Sequence, residues 1–162
     1  MITIRKSDKN DAKSIIALDR EWEKEGTTWP LEIYYRRPNI EKTLIKQIKK
    51  GFCFVAEENS AVIGYIRGAT AKSKENWPSY YLEKGQKYGE IESFYIKKEY
   101  RKKNLGKKMV KILLEEFKKN RAFVVSLWTS SKNVWGLVNF YKRFGFEERY
   151  VNMVLNLNKS RI

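Results

Sequence analysis

The sequence predicts a mixed α/β domain with a central, mostly antiparallel sheet of six to seven strands and about four flanking helices. Strand and helix patterns follow one another in the order β-α-α-β-β-β-α-β-α-β. A helical pattern separates the fourth and fifth strands, and such a connection makes the two strands parallel. The other strands can pair antiparallel, so the pattern indicates a mixed sheet with helices packed on it.

The first half of the chain supplies three strands and two helices. The alternating segment MITIRK (1–6) indicates a strand, and Ser7 or Asp8 can cap the helix that follows. One glycine and two prolines then interrupt the periodicity before a second helix, which covers about Ile40–Lys50 and stops at a glycine. The segment 51–72 indicates two strands that meet at EENS, a hairpin.

The second half begins with an aromatic loop at 72–89. The segment GEIESFYIKK (89–98) has the β-branched and aromatic content of a strand. A helix, a buried strand, another helix and a last strand follow. Their segments are NLGKKMVKILLEEFKKN (104–120), AFVVSLWTS (122–130), SKNVWGLVNFYKRFG (131–145) and FEERYVNMVLNL (146–157).

Length and composition restrict the function classes. The chain has 162 residues, 42% of them hydrophobic, which suits a single domain over 1–162. We expect a cytoplasmic protein with no membrane segment, because the apolar runs are short and the N-terminus lacks the apolar core of a signal peptide. Histidine is absent, which excludes a His-based triad, and no metal site is predicted. The lone Cys53 fits a small core residue.

Positive charge is concentrated before and within the third helix. The net charge is +15, and between Lys97 and Lys119 ten Lys or Arg stand against three Asp or Glu. Such a surplus attracts nucleic acid, anionic lipid or a phosphorylated cofactor. A helix start offers unpaired N–H groups, Gly106 leaves the backbone open to a ligand, and Asn104 tolerates a left-handed backbone. From this segment alone, an anion site and an ordinary turn with exposed lysines both stay open.

Two segments together resemble the GCN5-related N-acetyltransferase (GNAT) superfamily. EIESFYIKKEYRKKNLGKKMVKILLEEF resembles its acetyl-CoA signature, in which a strand leads into Arg/Gln-x-x-Gly-x-Gly/Ala and a helix. NFYKRFGFEE resembles its C-terminal segment, where Phe-Tyr on a helix is followed by Gly-Phe and a strand. The order of elements also matches along essentially the whole chain. The resemblance implies an acetyl-CoA-dependent N-acetyltransferase, and homodimers are common in the family.

The resemblance also implies which residues bind coenzyme A. Arg101 matches the first motif position and Gly106 the last, and Asn104 stands where the middle glycine is usual. The strand end that pairs with the pantetheine arm corresponds to Phe94, Tyr95 and Ile96. The complete cofactor set expected from the family is Phe94, Tyr95, Ile96, Arg101, Lys102, Lys103, Asn104, Leu105, Gly106, Lys107, Asn133 and Tyr141. Asn133 lies one residue out of the usual register.

Acetyl transfer to an amine needs a base, an oxyanion stabiliser and an acid for the thiolate. Glu90 and Glu92 are two apart on one strand and face the same side, so either can take the ammonium proton; the alternative is a cross-strand ion pair with lysine. A backbone N–H near Tyr95 and Ile96 would stabilise the oxyanion. Tyr141 is the candidate acid, because its phenol can protonate a coenzyme A thiolate; the alternative is a core aromatic.

The acceptor is less constrained. Two aromatic and basic segments, at 25–39 and 72–89, correspond to the family's substrate-binding segments and offer six aromatic residues for stacking: Trp29, Tyr34, Tyr35, Trp77, Tyr80 and Tyr81. A protein lysine or N-terminus is the preferred acceptor. A polyamine-like small amine is the alternative, and it requires an acidic pocket built from Glu21, Glu23, Glu25 and Glu32. A basic nucleic-acid-binding module is the rival from another class, and the surface charge can also bring the enzyme close to nucleic acid.

Overall fold

A five-stranded sheet and four helices make up the part of the chain that the structure, a computed structural model, describes: residues 1–25, 39–129 and 134–149. The strands are β1 (Thr3–Lys6), β2 (Cys53–Glu58), β3 (Ala61–Lys72), β4 (Lys87–Ile96) and β5 (Val124–Leu127). The helices are α1 (Ala12–Lys24), α2 (Ile40–Lys49), α3 (Leu105–Lys119) and α4 (Val134–Lys142). Within these ranges no helix combines the length and the apolar content needed to cross a bilayer.

The strands lie in the sheet in chain order, from β1 to β5. Neighbours are antiparallel except β4 and β5, which are parallel and joined through α3, as predicted. The described residues contain five strands instead of six to seven. The predicted last strand lies outside the described residues from 150 onwards, and its first four residues form no strand. The strand predicted as buried, β5, is only half-buried, because it has one neighbour in the described sheet.

The two faces of the sheet carry separate cores. The face that packs on α1 and α2 buries Ile15, Leu44 and Tyr65, and we call it the α1/α2 face. The opposite face packs on α3 and α4 and buries Leu113 and Phe117; this is the α3/α4 face. Each side chain of β4 therefore points to one pair of helices or the other.

A β-bulge interrupts β4 in its middle. Ser93 pairs with Arg67 and Ile91 pairs with Gly68, so Glu92 is an extra residue with no partner of its own on β3. A bulge of this kind shifts the alternation of side chains along the strand. Before the bulge, the odd-numbered Ile91 packs in the α3/α4 core. After the bulge, the even-numbered Ile96 packs in that core instead.

Gly89 permits the close approach of α3 to β4, and we expect its replacement to destabilise the fold. A Cβ added at Gly89 would lie 2.9 Å from Cγ of Phe117. Overpacking of this type costs about 1–3 kcal/mol, so Gly89→Ala should lower the free energy of unfolding although alanine favours a strand no less than glycine does. Urea denaturation measures the change. Phe117→Leu should relieve the clash, and equal costs of Gly89→Ala in the wild-type and Phe117→Leu backgrounds would contradict this account.

Candidate functional site

The pairing of the two parallel strands stops before β4 ends. The last pair that β4 and β5 form is Ile91 with Leu127, where β5 ends, whereas β4 continues to Ile96. The edge of β4 from Glu92 to Ile96 is therefore not paired with β5. We call the region along this unpaired edge the wedge.

Two backbone amides of β4 point into the wedge. Lys97 N donates to Ile63 O at 3.0 Å, and successive residues of an antiparallel strand present their N–H groups to opposite sides. Counting back along the register, the amide of Tyr95 points to β3, whereas those of Phe94 and Ile96 point away from it. The predicted oxyanion and pantetheine contacts thus have two amides available, at Phe94 and Ile96, and the amide of Tyr95 is used within the sheet.

The segment 101–107, which we call the motif loop, presents a series of amides at the start of α3. Lys102 and Asn104 both have left-handed backbones, with φ of 63° and 59°, so the prediction for Asn104 is confirmed. No described residue accepts a hydrogen bond from the amides of 102–107. The side chains of Lys102, Lys103 and Lys107 are exposed, and that of Leu105 is buried, so Leu105 offers only its backbone. The loop therefore combines unpaired amides with positive charge.

The side chain of Arg101 is held within the protein. Its Nε donates to Ile96 O at 2.7 Å, and its Nη2 donates to both carboxylate oxygens of Glu25, at 2.9 and 3.0 Å. Tyr95 Oη also donates to Glu25, at 2.6 Å. Burial opposes ionisation of Glu25, but these bonds outweigh it and lower the pKa of that carboxyl group. Arg101 thus fastens the motif loop to β4 and to the end of α1.

Gly106 faces aromatic side chains. A Cβ at this position would lie 3.3 Å from Cζ of Phe94, 3.5 Å from Cζ of Phe140 and 3.6 Å from Cδ1 of Ile96. That Gly106 leaves the backbone open to a ligand stays a prediction. The contacts show a second use of this glycine, because it allows the first turn of α3 to lie close to the end of β4.

Tyr141 lies on the α3/α4 face, where it is 8% exposed. Its ring packs edge-on against Phe140 and Phe146. Burial raises the pKa of its phenol to about 12, so the group stays protonated at neutral pH. No described residue hydrogen-bonds its hydroxyl. Tyr141 is therefore a core aromatic residue. Its protonated hydroxyl also remains available for the acid role that was predicted.

The two glutamates of β4 share the α1/α2 face but differ in their contacts. Glu92 Oε2 accepts from Gln47 Nε2 at 3.2 Å and lies 3.6 Å from Arg67 Nε. Glu90 has no such partner among the described residues. Burial and the charge of Glu92 together raise the pKa of Glu90. The ion pair anticipated for these residues is thus made by Glu92, and with an arginine.

A cavity of about 140 Å³ adjoins Glu90 on the α1/α2 face, beside the point where the pairing of β4 and β5 stops. The loop between β3 and β4, the first half of β4, and β5 with the residue after it form its walls. Half of the lining residues are aromatic and one is acidic: Trp77, Tyr80, Leu82, Tyr88, Glu90, Val124, Ser126 and Trp128.

Sequence reasoning located part of this arrangement. It singled out Glu90, Trp77 and Tyr80, which the fold brings together. Trp128 and Ser126 were missed because they join the cavity through the parallel register of β5, which has no local sequence signal. Tyr81, also predicted for stacking, is exposed and does not line the cavity. Five predicted residues lie outside the described ranges: Trp29, Glu32, Tyr34, Tyr35 and Asn133.

Comparison with known proteins identifies similar chains. The family model described as Acetyltransferase (GNAT) family matches residues 17–146. An uncharacterized N-acetyltransferase of Methanocaldococcus jannaschii is 33% identical over 110 residues, which are 68% of this chain. The chain spans 45% of the length of that relative.

Two solved structures share the fold. A predicted acetyltransferase from Clostridium acetobutylicum, solved with acetyl-CoA, has a TM-score of 0.75 at 21% identity, and each chain is covered completely. The PaiA N-acetyltransferase from Thermoplasma acidophilum, in complex with coenzyme A, has a TM-score of 0.67 at 21% identity, with 88% of each chain covered.

Proposed function

Because this chain belongs to the acetyltransferase (GNAT) family, we propose that it transfers an acetyl group from acetyl-CoA to a primary amine by direct attack of the amine. One observation carries the proposal: the wedge lies between a loop of unpaired amides at one end and the half-buried carboxylate of Glu90 at the other. The first can hold an anionic cofactor, and the second can take a proton from an ammonium group.

The residues present fit coenzyme A. Six consecutive amides without acceptors among the described residues, at 102–107, match the hydrogen-bonding needs of a diphosphate at a helix start. The exposed lysines of the motif loop add positive charge to the same place. We assign the wedge-facing backbone of Phe94 and Ile96 to the pantetheine arm. Arg101 is assigned as a positioning residue, because its guanidinium already binds Glu25 and Ile96 O.

The chain's own groups divide the proton transfers between the two faces of the sheet. Acetyl-CoA supplies the acetyl thioester, whose carbon–sulfur bond breaks as the amine nitrogen bonds to the acetyl carbon. Glu90 takes the ammonium proton from the α1/α2 face; its raised pKa makes it a better base than an ordinary carboxylate. Glu92 is less suited, since Arg67 and Gln47 bind it. Tyr141 donates a proton to the thiolate from the α3/α4 face, and the second proton that the nitrogen loses as the amide forms restores the phenol.

We propose a protein lysine or N-terminus as the acceptor. The polyamine alternative needs free acidic groups near the end of α1, and two of the four candidates are already paired. Glu25 binds Arg101, and Glu21 lies 3.5 Å from Lys97. The rival function is a nucleic-acid-binding module without enzymatic activity. From charge and family we also expect proximity to nucleic acid, a homodimer and a cytoplasmic location.

The test is acetyl-CoA-dependent thiol release with a panel of acceptors: lysine peptides, peptides with free N-termini, and polyamines. We expect saturable turnover that requires both acetyl-CoA and an amine. Binding of DNA or RNA with a steep salt dependence, together with no thiol release for any amine, would favour the rival.

Tyr141→Phe should lower kcat more than it changes the KM for acetyl-CoA. The substitution removes the phenolic proton donor and keeps the ring that packs against Phe140 and Phe146. Loss of a general acid typically costs about 10²–10⁴-fold in rate. Steady-state kinetics with a saturating amine measures the effect, and Phe140→Leu serves as a control for packing alone. Unchanged kcat would leave Tyr141 as a core residue only.

A further inference from the structure

Four aromatic rings line the cavity beside Glu90. Trp77 Nε1 donates to Glu75 Oε1 at 3.0 Å, which sets the plane of the indole. The Trp77 ring lies 5.6 Å from that of Tyr80 and 6.5 Å from that of Tyr88, measured between centroids. Trp128, 69% exposed, stands at the opening. Aromatic faces attract a desolvated cation, so the walls suit a positively charged group.

The one acidic residue of this lining, Glu90, also favours a positively charged ligand. Glu90 is the only acidic or basic residue among the eight that line the cavity, and no described residue forms an ion pair with it. A carboxylate enclosed by rings favours a cation that can also donate hydrogen bonds, such as an ammonium group. The lining thus favours positive charge, in a chain whose net charge is +15.

The size of the cavity limits the shape of that ligand. Its volume of about 140 Å³ is below the roughly 300 Å³ at which pockets for whole small molecules begin. It therefore takes the end of a side chain and not a whole small molecule. The lysine side chain beyond Cα is such a group, an unbranched row of carbons that ends in an ammonium group. An N-terminal amine is attached to a carbon that carries two further branches, so its charged end is wider than that of a lysine.

We propose that this cavity, which we call the aromatic cage, binds one unbranched alkylammonium group with its charged end at Glu90. The inference rests on the proposed function, and it narrows the acceptor to a lysine side chain or a free linear amine. An N-terminal α-amine is excluded from the site by its branching.

Indole NMR signals of the full chain, labelled with ¹⁵N, test the binding directly. The chain has five tryptophans, and Trp77→Phe and Trp128→Phe assign the two cage signals. Titration with n-butylamine should shift these two signals saturably and leave that of the exposed Trp135 unchanged. The isomer sec-butylamine, branched beside the nitrogen, and uncharged n-butanol should each bind at least about tenfold more weakly. Equal binding of the branched isomer, or no saturable shift, would overturn the proposal.

Kinetics with two linear amines identify the source of the group. A lysine peptide with a blocked N-terminus and 1,4-diaminobutane both carry an unbranched alkylammonium group. Whichever of the two has the higher kcat/KM is the acceptor class, and either result supports the cage. Trp77→Ala should raise the KM for the better substrate roughly tenfold, whereas Trp135→Ala, on the exposed surface of α4, should leave it unchanged. Preference for a peptide whose only amine is its N-terminus would contradict the inference.

A separate titration with acetyl-CoA distinguishes the two ways to fail. If n-butylamine shifts the cage signals but acetyl-CoA produces no heat in calorimetry, the proposed acetyl transfer is wrong and the cage remains. If acetyl-CoA binds and amines are acetylated without regard to branching, acetyl transfer stands and the cage is wrong.

Discussion

Glu90→Gln should reduce kcat by about 10²–10⁴-fold, the usual contribution of a general base. The amide keeps the size of the side chain and cannot accept the ammonium proton. Because burial and the charge of Glu92 raise the pKa of Glu90, the wild-type rate should increase with pH through a value above the ordinary carboxyl range. That limb of the pH profile should disappear in Glu90→Gln. Steady-state kinetics across pH, with a saturating amine, measures both effects.

Glu92→Gln is the matched control. Its carboxylate binds Gln47 and lies beside Arg67, so we assign it no proton transfer. Removal of its charge takes away one of the two causes that raise the pKa of Glu90, and the acidic limb should therefore move to lower pH while kcat at high pH is largely kept. A loss of activity in Glu92→Gln as large as that in Glu90→Gln would show that the base assignment is wrong.

Gly106→Val should weaken acetyl-CoA binding by about tenfold to a hundredfold. A Cβ at this position already lies 3.3 Å from Phe94, and the two methyl groups of valine must displace Phe94 or Phe140. Overpacking costs about 1–3 kcal/mol, which corresponds to this range of affinity if the displaced ring moves into the wedge. Calorimetric titration with acetyl-CoA measures the dissociation constant.

Two further variants separate this effect from general damage to the helix. Gly106→Ala adds only the Cβ and should show a smaller loss of affinity. Lys111→Val places valine at an exposed position of the same helix and should bind acetyl-CoA nearly as the wild type does. Thermal unfolding establishes that each variant is folded. A folded Gly106→Val with wild-type affinity would refute a role of this position in the cofactor site.

Local signals explain why much of the fold was predictable. The residues EENS indicated a tight turn, and Asn59 and Ser60 have φ of 50° and 63°, the left-handed values that such a hairpin needs. The second helix ends before Gly51, whose φ is 83°. In each case a few adjacent residues determine the backbone, so sequence alone is informative.

The site depended more on contacts between distant residues. The same-face prediction for Glu90 and Glu92 is confirmed, although the bulge at Glu92 changes the phase of the residues that follow. Sequence could not separate the two carboxylates, because the difference arises from Arg67 and Gln47, on another strand and a helix. Nonlocal packing of this kind decides which acid is free and which is paired.

The central claim is that the amides of 102–107 and of the wedge hold the diphosphate end and arm of acetyl-CoA. The most direct measurement is a titration of the ¹⁵N-labelled chain with acetyl-CoA, followed through the backbone amide signals. We predict saturable shifts for 102–107, Phe94 and Ile96, and none for Val55, which is buried in β2. Binding that leaves the signals of 102–107 in place, or no binding at all, would contradict it.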